Sequence, residues 1–270
     1  MKKSKIVLTC LLLMSTFIVL CACTPNAENR ERSVIAVNHR GYGDAPENTL
    51  AAFRLSKEMG FDYVECDVCF TKDSQAVLLH DGTVNRTSNG KGKIADLTLE
   101  EVRQLDFGSW KDASYAGERI PTFAEFVDLC VELELRPYVE IKGNATFAQI
   151  ESLVDTVDGL ELNVTWISRD RTAISWLSEL RSEDRFGLVL NLIDNDDVQF
   201  LADLSRKVEV FADTNYLTLT QRQIENCKLY DIPIEVWTVN SQTVIESLNA
   251  YVSGVTSDYI NAQTVFNNMK

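Results

Sequence analysis

The strongest constraint on the fold of this 270-residue chain is a regular alternation of short apolar runs and amphipathic segments that starts at residue 34. Apolar runs that lie between helical patterns are typical of strands buried on both faces, so a parallel sheet with helices outside is predicted. Eight such runs predict a closed TIM-type (β/α)8 barrel, an α/β fold whose functional face lies at the carboxyl ends of its strands. The runs are residues 34–38, 63–67, 138–142, 164–168, 186–191, 208–212, 234–239 and 254–257.

Helical patterns separate most of these runs, because apolar residues recur there at the spacing of one helix face. A doubly wound open sheet is the alternative arrangement, but no GxGxxG fingerprint follows any of the predicted strands. The barrel is therefore the favoured architecture. The predicted helices are residues 48–59, 122–134, 146–157, 171–180, 197–206, 221–229 and 243–250.

One further strand-like run, residues 76–80, follows the second strand too closely to be its parallel neighbour, since a parallel crossover needs a dozen or more residues. It is predicted to be the return arm of a hairpin. Pairing Thr71 with Ala76 would set Asp67 opposite His80 and bring that histidine to the top of the second barrel strand. Residues 81–120 then form an insertion, with a short capped helix at 98–101, that either covers the site or is a surface feature.

The first 22 residues differ in kind from the rest, since three lysines precede an apolar run at 6–22, as in an export signal. The small Ala22 before Cys23 resembles the lipobox of bacterial lipoproteins, in which cleavage leaves a lipid-modified cysteine at the new N-terminus. A plain signal peptide or an uncleaved anchor are the alternatives. We therefore expect a lipoprotein signal peptide at 1–22, a polar tether at 23–33 and the barrel at 34–270, held on the outer side of the cell membrane.

The formal net charge of −14 argues against nucleic acid or an anionic lipid surface as a partner, because both require a basic face. Five cysteines follow the predicted signal, an odd number with no regular spacing, which does not indicate a disulfide framework. Cys66 and Cys69 stand three apart on a strand and so point to opposite faces. They are predicted to be small buried residues.

Carboxylates gather at the upper ends of the second and third barrel strands. Glu65 and Asp67 share one face of a strand, and Glu140 and Lys142 share one face of the next. Three converging carboxylates repel one another unless a cation lies between them. Oxygen ligands without a thiolate favour a hard divalent cation, Mg²⁺ or Ca²⁺. The alternative is a layer of salt bridges with Lys142 and Arg40.

His39 and His80 are the two histidines of the sequence, and each ends a strand-like run. An imidazole exchanges protons near neutrality, so a pair at one barrel mouth predicts a general acid and a general base. Arg40 and Lys142 would offset the charge of a phosphate, and Glu47 would lie nearby. A hard ion, a cationic side chain and an acid/base pair together are typical of phosphoryl transfer or phosphate ester hydrolysis.

Several short motifs follow one another in a fixed order from residue 39 onward. They are His39-Arg40-Gly41, Pro46-Glu47-Asn48-Thr49, Glu65-Cys66-Asp67-Val68, Thr71-Lys72-Asp73, His80-Asp81, Gly117-Glu118-Arg119-Ile120-Pro121-Thr122, Glu140-Ile141-Lys142, Trp237-Thr238-Val239-Asn240 and Gly254-Val255-Thr256-Ser257-Asp258-Tyr259. This order resembles the glycerophosphodiester phosphodiesterase family over essentially the whole chain from residue 34.

The resemblance implies a TIM-type barrel that hydrolyses glycerophosphodiesters, such as glycerophosphocholine, to sn-glycerol 3-phosphate and an alcohol. It implies a role for each matching residue. These are His39 and His80 as the catalytic pair, Glu65, Asp67 and Glu140 as metal ligands, Arg40 and Lys142 as phosphate contacts, and Trp237 as an apolar wall of the pocket. The thiols at positions 66 and 69 depart from the family's usual residues.

Two other functions are compatible with the same residues. One is a phospholipase of the D or C type that acts on lysophospholipid or phosphoinositide, which would need an apolar rim around the mouth. The other is a non-catalytic lipoprotein that binds glycerophosphodiesters. A non-catalytic relative is expected to lack a histidine or a metal carboxylate, and none is missing here.

Overall fold

A computed structural model describes residues 33–269 of the chain. The predicted signal peptide, Cys23 and nearly all of the predicted tether lie outside the described residues. Within residues 33–269, no helix combines the length and the apolar character needed to cross a bilayer.

Eight parallel strands in the described residues close into a barrel, as predicted, and a ninth strand pairs antiparallel with the second. The sheet runs in the order β1-β9-β8-β7-β6-β5-β4-β2, and pairing of β1 with β2 closes it. The strands are β1 (Ile35–His39), β2 (Tyr63–Phe70), β3 (Ala76–Leu78), β4 (Arg136–Ile141), β5 (Thr165–Ser168), β6 (Arg185–Leu190), β7 (Glu209–Asn215), β8 (Ile234–Trp237) and β9 (Val252–Ser257).

Helices on the outside of the barrel connect the strands and begin at well-formed caps. Thr122, Thr146 and Thr220 each form a capping box with the Glu or Gln three residues later, which satisfies backbone N–H groups at the helix start. The α-helices are α1 (Leu50–Glu58), α2 (Leu99–Val102), α3 (Phe123–Leu133), α4 (Phe147–Val157), α5 (Arg171–Leu180), α6 (Asn195–Leu204), α7 (Gln221–Leu229), α8 (Gln242–Ser247) and α9 (Ala262–Asn268).

Most predicted elements are present, with shifted ends. The second strand runs three residues further than predicted, to Phe70, because its last residues pair with β3. Helix α8 ends at Ser247, short of the predicted residue 250. Helix α9 was not predicted, although Asn261 caps its first turn by accepting a hydrogen bond from the Thr264 N–H.

The hairpin after β2 is present, but its predicted register is wrong by one residue. Phe70 lies opposite Ala76 and Thr71 bonds to Gln75, so Asp67 lies beside Leu79 rather than His80. The turn is one residue shorter than assumed. Ser74 adopts the left-handed conformation (φ 58°), and the Thr71 hydroxyl accepts a hydrogen bond from the Gln75 N–H at 2.9 Å.

Side chains of five strands pack together inside the barrel: Val37, Tyr138, Ile167, Val189 and Phe211. Gly187 admits the Phe211 ring, since a Cβ atom at that glycine would lie 2.4 Å from it. The barrel interior is therefore a packed core and not a pore.

Residues of the predicted insertion form a second small core against the outer face of the hairpin. Val84, Ile94, Val102, Phe107 and Ile120 are buried there with the hairpin residues Cys69, Val77 and Leu79. The helix expected at 98–101 is α2, and Thr98 caps it. The insertion is thus a folded element fixed to the hairpin rather than a loose loop.

Cys66, Cys69, Cys130 and Cys227 are free and buried. Burial was predicted for Cys66 and Cys69, and the structure confirms it. Burial raises the pKa of Cys66 well above its ordinary value. These thiols are neutral packing residues.

Candidate active site

His39 is the last residue of β1, so parallel packing of the strands places it at the upper rim of the barrel. Its Nδ1 atom lies 2.7 Å from Asp258 Oδ1, in the loop after β9. Asn240 donates to the other oxygen of Asp258 at 2.5 Å. Burial alone would raise the pKa of Asp258, but its hydrogen bond with His39 and the Asn240 amide lower it. The carboxylate therefore stays ionised and fixes the orientation of the imidazole.

A tight turn after β1 directs Arg40 into the mouth. Arg40 and Gly41 both have left-handed backbone angles (φ 56° and 84°). A Cβ atom at Gly41 would lie 2.5 Å from the Cβ of Ala52, so only glycine allows α1 to approach this closely.

Glu65, Asp67 and Glu140 lie together at the mouth, as the strand pattern predicted. One carboxylate oxygen from each lies within 4.8 Å of the others. The Arg40 N–H donates to Glu65 Oε2 at 3.0 Å. Glu65 Oε1 is buried and has no hydrogen-bond partner among the described residues. Burial raises the pKa of Glu65 well above its ordinary value, and the charges of Asp67 and Glu140 raise it further.

Two cationic side chains lie beside the acidic cluster. Arg40 Nε is 3.1 Å from Asp67 Oδ2, and Lys142 Nζ is 3.3 Å from Asp67 Oδ1 and 3.0 Å from Glu140 Oε1. Burial alone would raise the pKa of Asp67, but Arg40 and Lys142 lower it. The site therefore combines the salt bridges that one interpretation predicted with a carboxylate oxygen, Glu65 Oε1, that no cation within residues 33–269 satisfies.

Asn48 holds Asp67 in position through two hydrogen bonds. Its Nδ2 donates to Asp67 Oδ2 at 2.8 Å, and its Oδ1 accepts from the Asp67 backbone N–H at 3.1 Å. Asn48 is itself buried and left-handed (φ 56°). It fixes the carboxylate in position, since both groups of the amide bind the same residue.

His80 follows β3 and reaches the same mouth from the insertion side. Its Nδ1 lies 2.8 Å from Asp81 Oδ1. Arg86 donates from Nε to Asp81 at 2.8 Å and from two nitrogens to Glu47 at 2.6 and 2.8 Å. The hydrogen bond from Arg86 is the largest cause that lowers the pKa of Asp81 to about 2, so this carboxylate is ionised at any physiological pH.

Glu47 was predicted to bind the substrate, and the structure places it beside the pocket at the barrel mouth and not in its lining. Its two carboxylate oxygens receive Arg86, and one also receives Arg40 at 3.1 Å. It borders an adjacent cavity, together with Trp110, Lys111 and Tyr259. Its direct contacts thus fix two guanidinium groups.

The main pocket of the site lies at the barrel mouth and is open to solvent. Seven predicted site residues line it, among them Trp237, whose ring forms part of one wall. Asp67 lies just beneath, fully buried. The lining residues are His39, Arg40, Glu65, His80, Glu140, Lys142, Ile167, Arg169, Val189, Asp213, Trp237, Thr238 and Thr256.

Several polar residues of this site were not predicted from the sequence. Asp81 directly follows His80 in one motif, and Asp258 lies next to the last residue of the final strand motif. Their places in these motifs could have indicated them. Asn48 also stands inside a quoted motif. No sequence pattern indicated Arg86 or Asp213.

The residues at the mouth fit a hard divalent cation. Three carboxylates converge there, no thiolate is near, and the orphaned Glu65 oxygen is a buried acceptor without a donor. Buried polar atoms are rarely left without a partner, and carboxylate oxygens are the ligands that Mg²⁺ and Ca²⁺ prefer. Glu65, Asp67 and Glu140 would hold such an ion.

The mouth of the closed (β/α)8 barrel holds two histidines bound to carboxylates, an acidic cluster and two cationic side chains. This arrangement is typical of enzymes that hydrolyse phosphate esters. The sequence profile of the glycerophosphoryl diester phosphodiesterase family matches residues 39–262. The chain therefore belongs to that family and is a phosphoric diester hydrolase.

Individual relatives agree with this assignment. The chain is 31% identical, over 83% of its length and 93% of the relative's, to a glycerophosphodiester phosphodiesterase of Caldanaerobacter subterraneus subsp. tengcongensis. It is 25% identical, over 88% of its length and 86% of the relative's, to a glycerophosphodiester phosphodiesterase of Bacillus subtilis. Among solved structures, an Oleispira antarctica phosphodiesterase in complex with its product sn-glycerol 3-phosphate superposes with a TM-score of 0.79. It is 26% identical and covers 87% of this chain and 96% of that one.

Proposed function

We propose that this enzyme hydrolyses glycerophosphodiesters, such as glycerophosphocholine or glycerophosphoethanolamine, to sn-glycerol 3-phosphate and an alcohol, with Mg²⁺ or Ca²⁺ as cofactor. The observation that carries the proposal is the convergence of His39 and His80 on one pocket with Glu65 and Glu140. The product bound to the Oleispira antarctica relative supports the same substrate class.

In the proposed mechanism, Arg40 and Lys142 bind the phosphate and offset its charge. A divalent ion held by Glu65, Asp67 and Glu140 would polarise the phosphoryl group and help to neutralise charge that develops on it. One histidine takes a proton from the attacking oxygen, which belongs to water or to a hydroxyl of the substrate, and the other gives a proton to the departing alkoxide. If a substrate hydroxyl attacks, water then opens the cyclic phosphate that results. Asp258 and Asp81 hold these imidazoles through Nδ1, which leaves Nε2 for the substrate. Trp237 provides an apolar wall.

A panel of diesters that differ only in the alcohol tests this proposal. We expect released sn-glycerol 3-phosphate from several head groups, loss of turnover in excess chelator and recovery on addition of Mg²⁺ or Ca²⁺. His39→Ala and His80→Ala should each lower kcat by about a hundredfold or more. Turnover of lysophospholipids in preference to the diesters would favour the phospholipase alternative, and full activity in chelator would remove the metal from the mechanism.

We also propose that the enzyme is exported and anchored to the membrane by a lipid on Cys23. The support is the basic and apolar character of residues 1–22 and the small residue before this cysteine. Fatty-acid labelling of cells that produce the full chain should disappear in the Cys23→Ser variant. Labelling that persists would place the anchor elsewhere.

A further inference from the structure

Asp213 is a buried carboxylate of the main pocket that the proposed mechanism does not use. It lies near the upper end of β7, is 5% exposed and lines the cavity. Across residues 33–269, no hydrogen bond or ion pair reaches its side chain. The Asp213 oxygens are not among the sealed buried atoms that lack a partner in residues 33–269, so they face the cavity, where a bound ligand can reach them. A carboxylate that faces a cavity and is not bound by the protein is free to accept hydrogen bonds from a ligand.

Neighbouring negative charges disfavour the ionised form of Asp213. Glu235 lies beside it on β8 and Glu140 faces the same pocket, and both raise the pKa of Asp213 beyond the effect of its burial. Two cations, Arg169 and Arg185, lower this pKa in part. Arg185 is already bonded to Glu235 at 2.7 Å and to Glu209 at 2.6 Å, and Arg169 donates to Asn191. The protein therefore places three carboxylates near one another and supplies no donor to this one.

The surroundings of Asp213 restrict the chemistry of the group that binds it. Ile167, Val189 and Trp237 give the same pocket apolar walls. The guanidinium of Arg169 lies 5.5 Å from the centre of the Trp237 ring, so it takes the aromatic face that a quaternary ammonium would use. A neutral group that donates hydrogen bonds suits the carboxylate better than a cation does.

We infer that Asp213 binds the hydroxyl groups of the glycerol arm of the substrate and so selects glycerol over other groups on the phosphate. The inference rests on the proposed function, in which glycerol is the part shared by every substrate. A rigid, buried pocket on barrel strands suits that shared arm, while the variable alcohol lies toward the open side. Two neighbouring hydroxyls can donate to the two oxygens of one carboxylate.

Calorimetric binding of two phosphate monoesters tests this inference without turnover. The probes, measured in Mg²⁺, are sn-glycerol 3-phosphate and n-propyl phosphate, which lacks both hydroxyls. We expect the wild-type enzyme to bind the glycerol compound about 10- to 100-fold more tightly, the scale of hydrogen bonds to a charged group. Asp213→Asn should reduce this ratio and Asp213→Leu should bring it near one, with the affinity for propyl phosphate little changed.

Thr214→Val is the matched control, since Thr214 is the next residue of β7, points to the other face and is buried. Its ratio should equal that of the wild type. The inference is overturned if the ratio persists in both Asp213 variants. It is also overturned if phosphocholine, a cationic probe, binds more tightly than sn-glycerol 3-phosphate in an Asp213-dependent way. Either result with intact hydrolysis of glycerophosphocholine would leave the proposed function standing, whereas absent hydrolysis and no binding of either monoester would overturn both.

Discussion

Each histidine of the mouth is held by a carboxylate that comes from a different part of the chain. His39 is bound by Asp258, 219 residues away, and His80 by the adjacent Asp81. A carboxylate on Nδ1 fixes both the tautomer and the direction of the ring. In the proposed mechanism the two acids are thus positioning residues, which act through the imidazoles and not on the substrate.

Asp258→Asn should lower kcat about 10- to 100-fold while KM changes little, because the variant keeps the shape of the side chain but can no longer hold the same tautomer. Steady-state kinetics on glycerophosphocholine measure the two constants separately. Asp44→Asn, an exposed acid in the loop after β1, is the control and should behave as the wild type. A rise in KM at constant kcat would instead assign Asp258 to substrate binding.

The strand pattern was enough to predict the acidic cluster but not the residues that support it. Period two along a strand places Glu65 with Asp67, and Glu140 with Lys142, whatever the loops do. The partners Asp258 and Asn48 come from loops, whose course depends on backbone angles that a sequence pattern does not specify. Asp213 could not be predicted for another reason, since a single acid in an apolar strand has no periodic pattern.

At the level of secondary structure elements, the insertion is joined to the barrel mouth chiefly through Arg86. This side chain binds Glu47 of the β1–α1 loop and Asp81 beside His80. The sequence left open whether the insertion reaches the site or only covers surface. The contacts of Arg86, and of Lys111 with the carbonyl oxygen of Gly43, show that it reaches the mouth.

Arg86→Ala should loosen the insertion, because one guanidinium holds two carboxylates from different segments. We expect faster proteolytic cleavage within residues 81–120 and a fall in kcat/KM of about tenfold, with Arg86→Lys in between. Arg54→Ala is a matched control, since Arg54 also makes a two-pronged ion pair, with Glu132 on the outer surface, and exposed pairs contribute little. Equal cleavage rates in all variants would contradict this role for Arg86.

The hairpin illustrates where prediction from sequence stops at this level. Its existence followed from a connection too short for a parallel crossover. Its register did not, because a left-handed residue at Ser74 shortens the turn by one position. Register depends on turn conformation, and a shift of one residue changes which side chains face each other. His80 still reaches the mouth because it lies past the end of β3, where the register no longer applies.

For the whole molecule, the closed barrel could be predicted by counting eight buried apolar runs. The expected pH dependence of its stability follows from the carboxylates that the barrel buries. Burial, then Asp67 and Glu140, raise the pKa of Glu65 above that of an unfolded chain. Its contribution to folding is therefore complete below the unfolded pKa of about 4.3 and is lost as the pH rises through the folded value.

Glu65→Gln should consequently melt at a higher temperature than the wild type in chelator at alkaline pH, and the difference should narrow as the pH falls toward the ordinary pKa of a glutamate. Mg²⁺ should reverse the order by stabilising the wild type alone, since binding to the folded state adds stability by mass action. Thermal melts across pH measure both effects. Glu58→Gln, on the exposed side of α1, is the control, and a variant no more stable than it in chelator would contradict the argument.

The direction of β1 determines the end of the barrel at which the described chain begins. β1 enters at the closed end of the barrel and delivers His39 to the open end, and the Val34 N–H is tied to Gln263 of α9 at 2.7 Å. Ser33 therefore lies at the closed end of the barrel, opposite the mouth. We expect a label or linker attached at Ser33 to leave the catalytic opening free for diesters that arrive from solution.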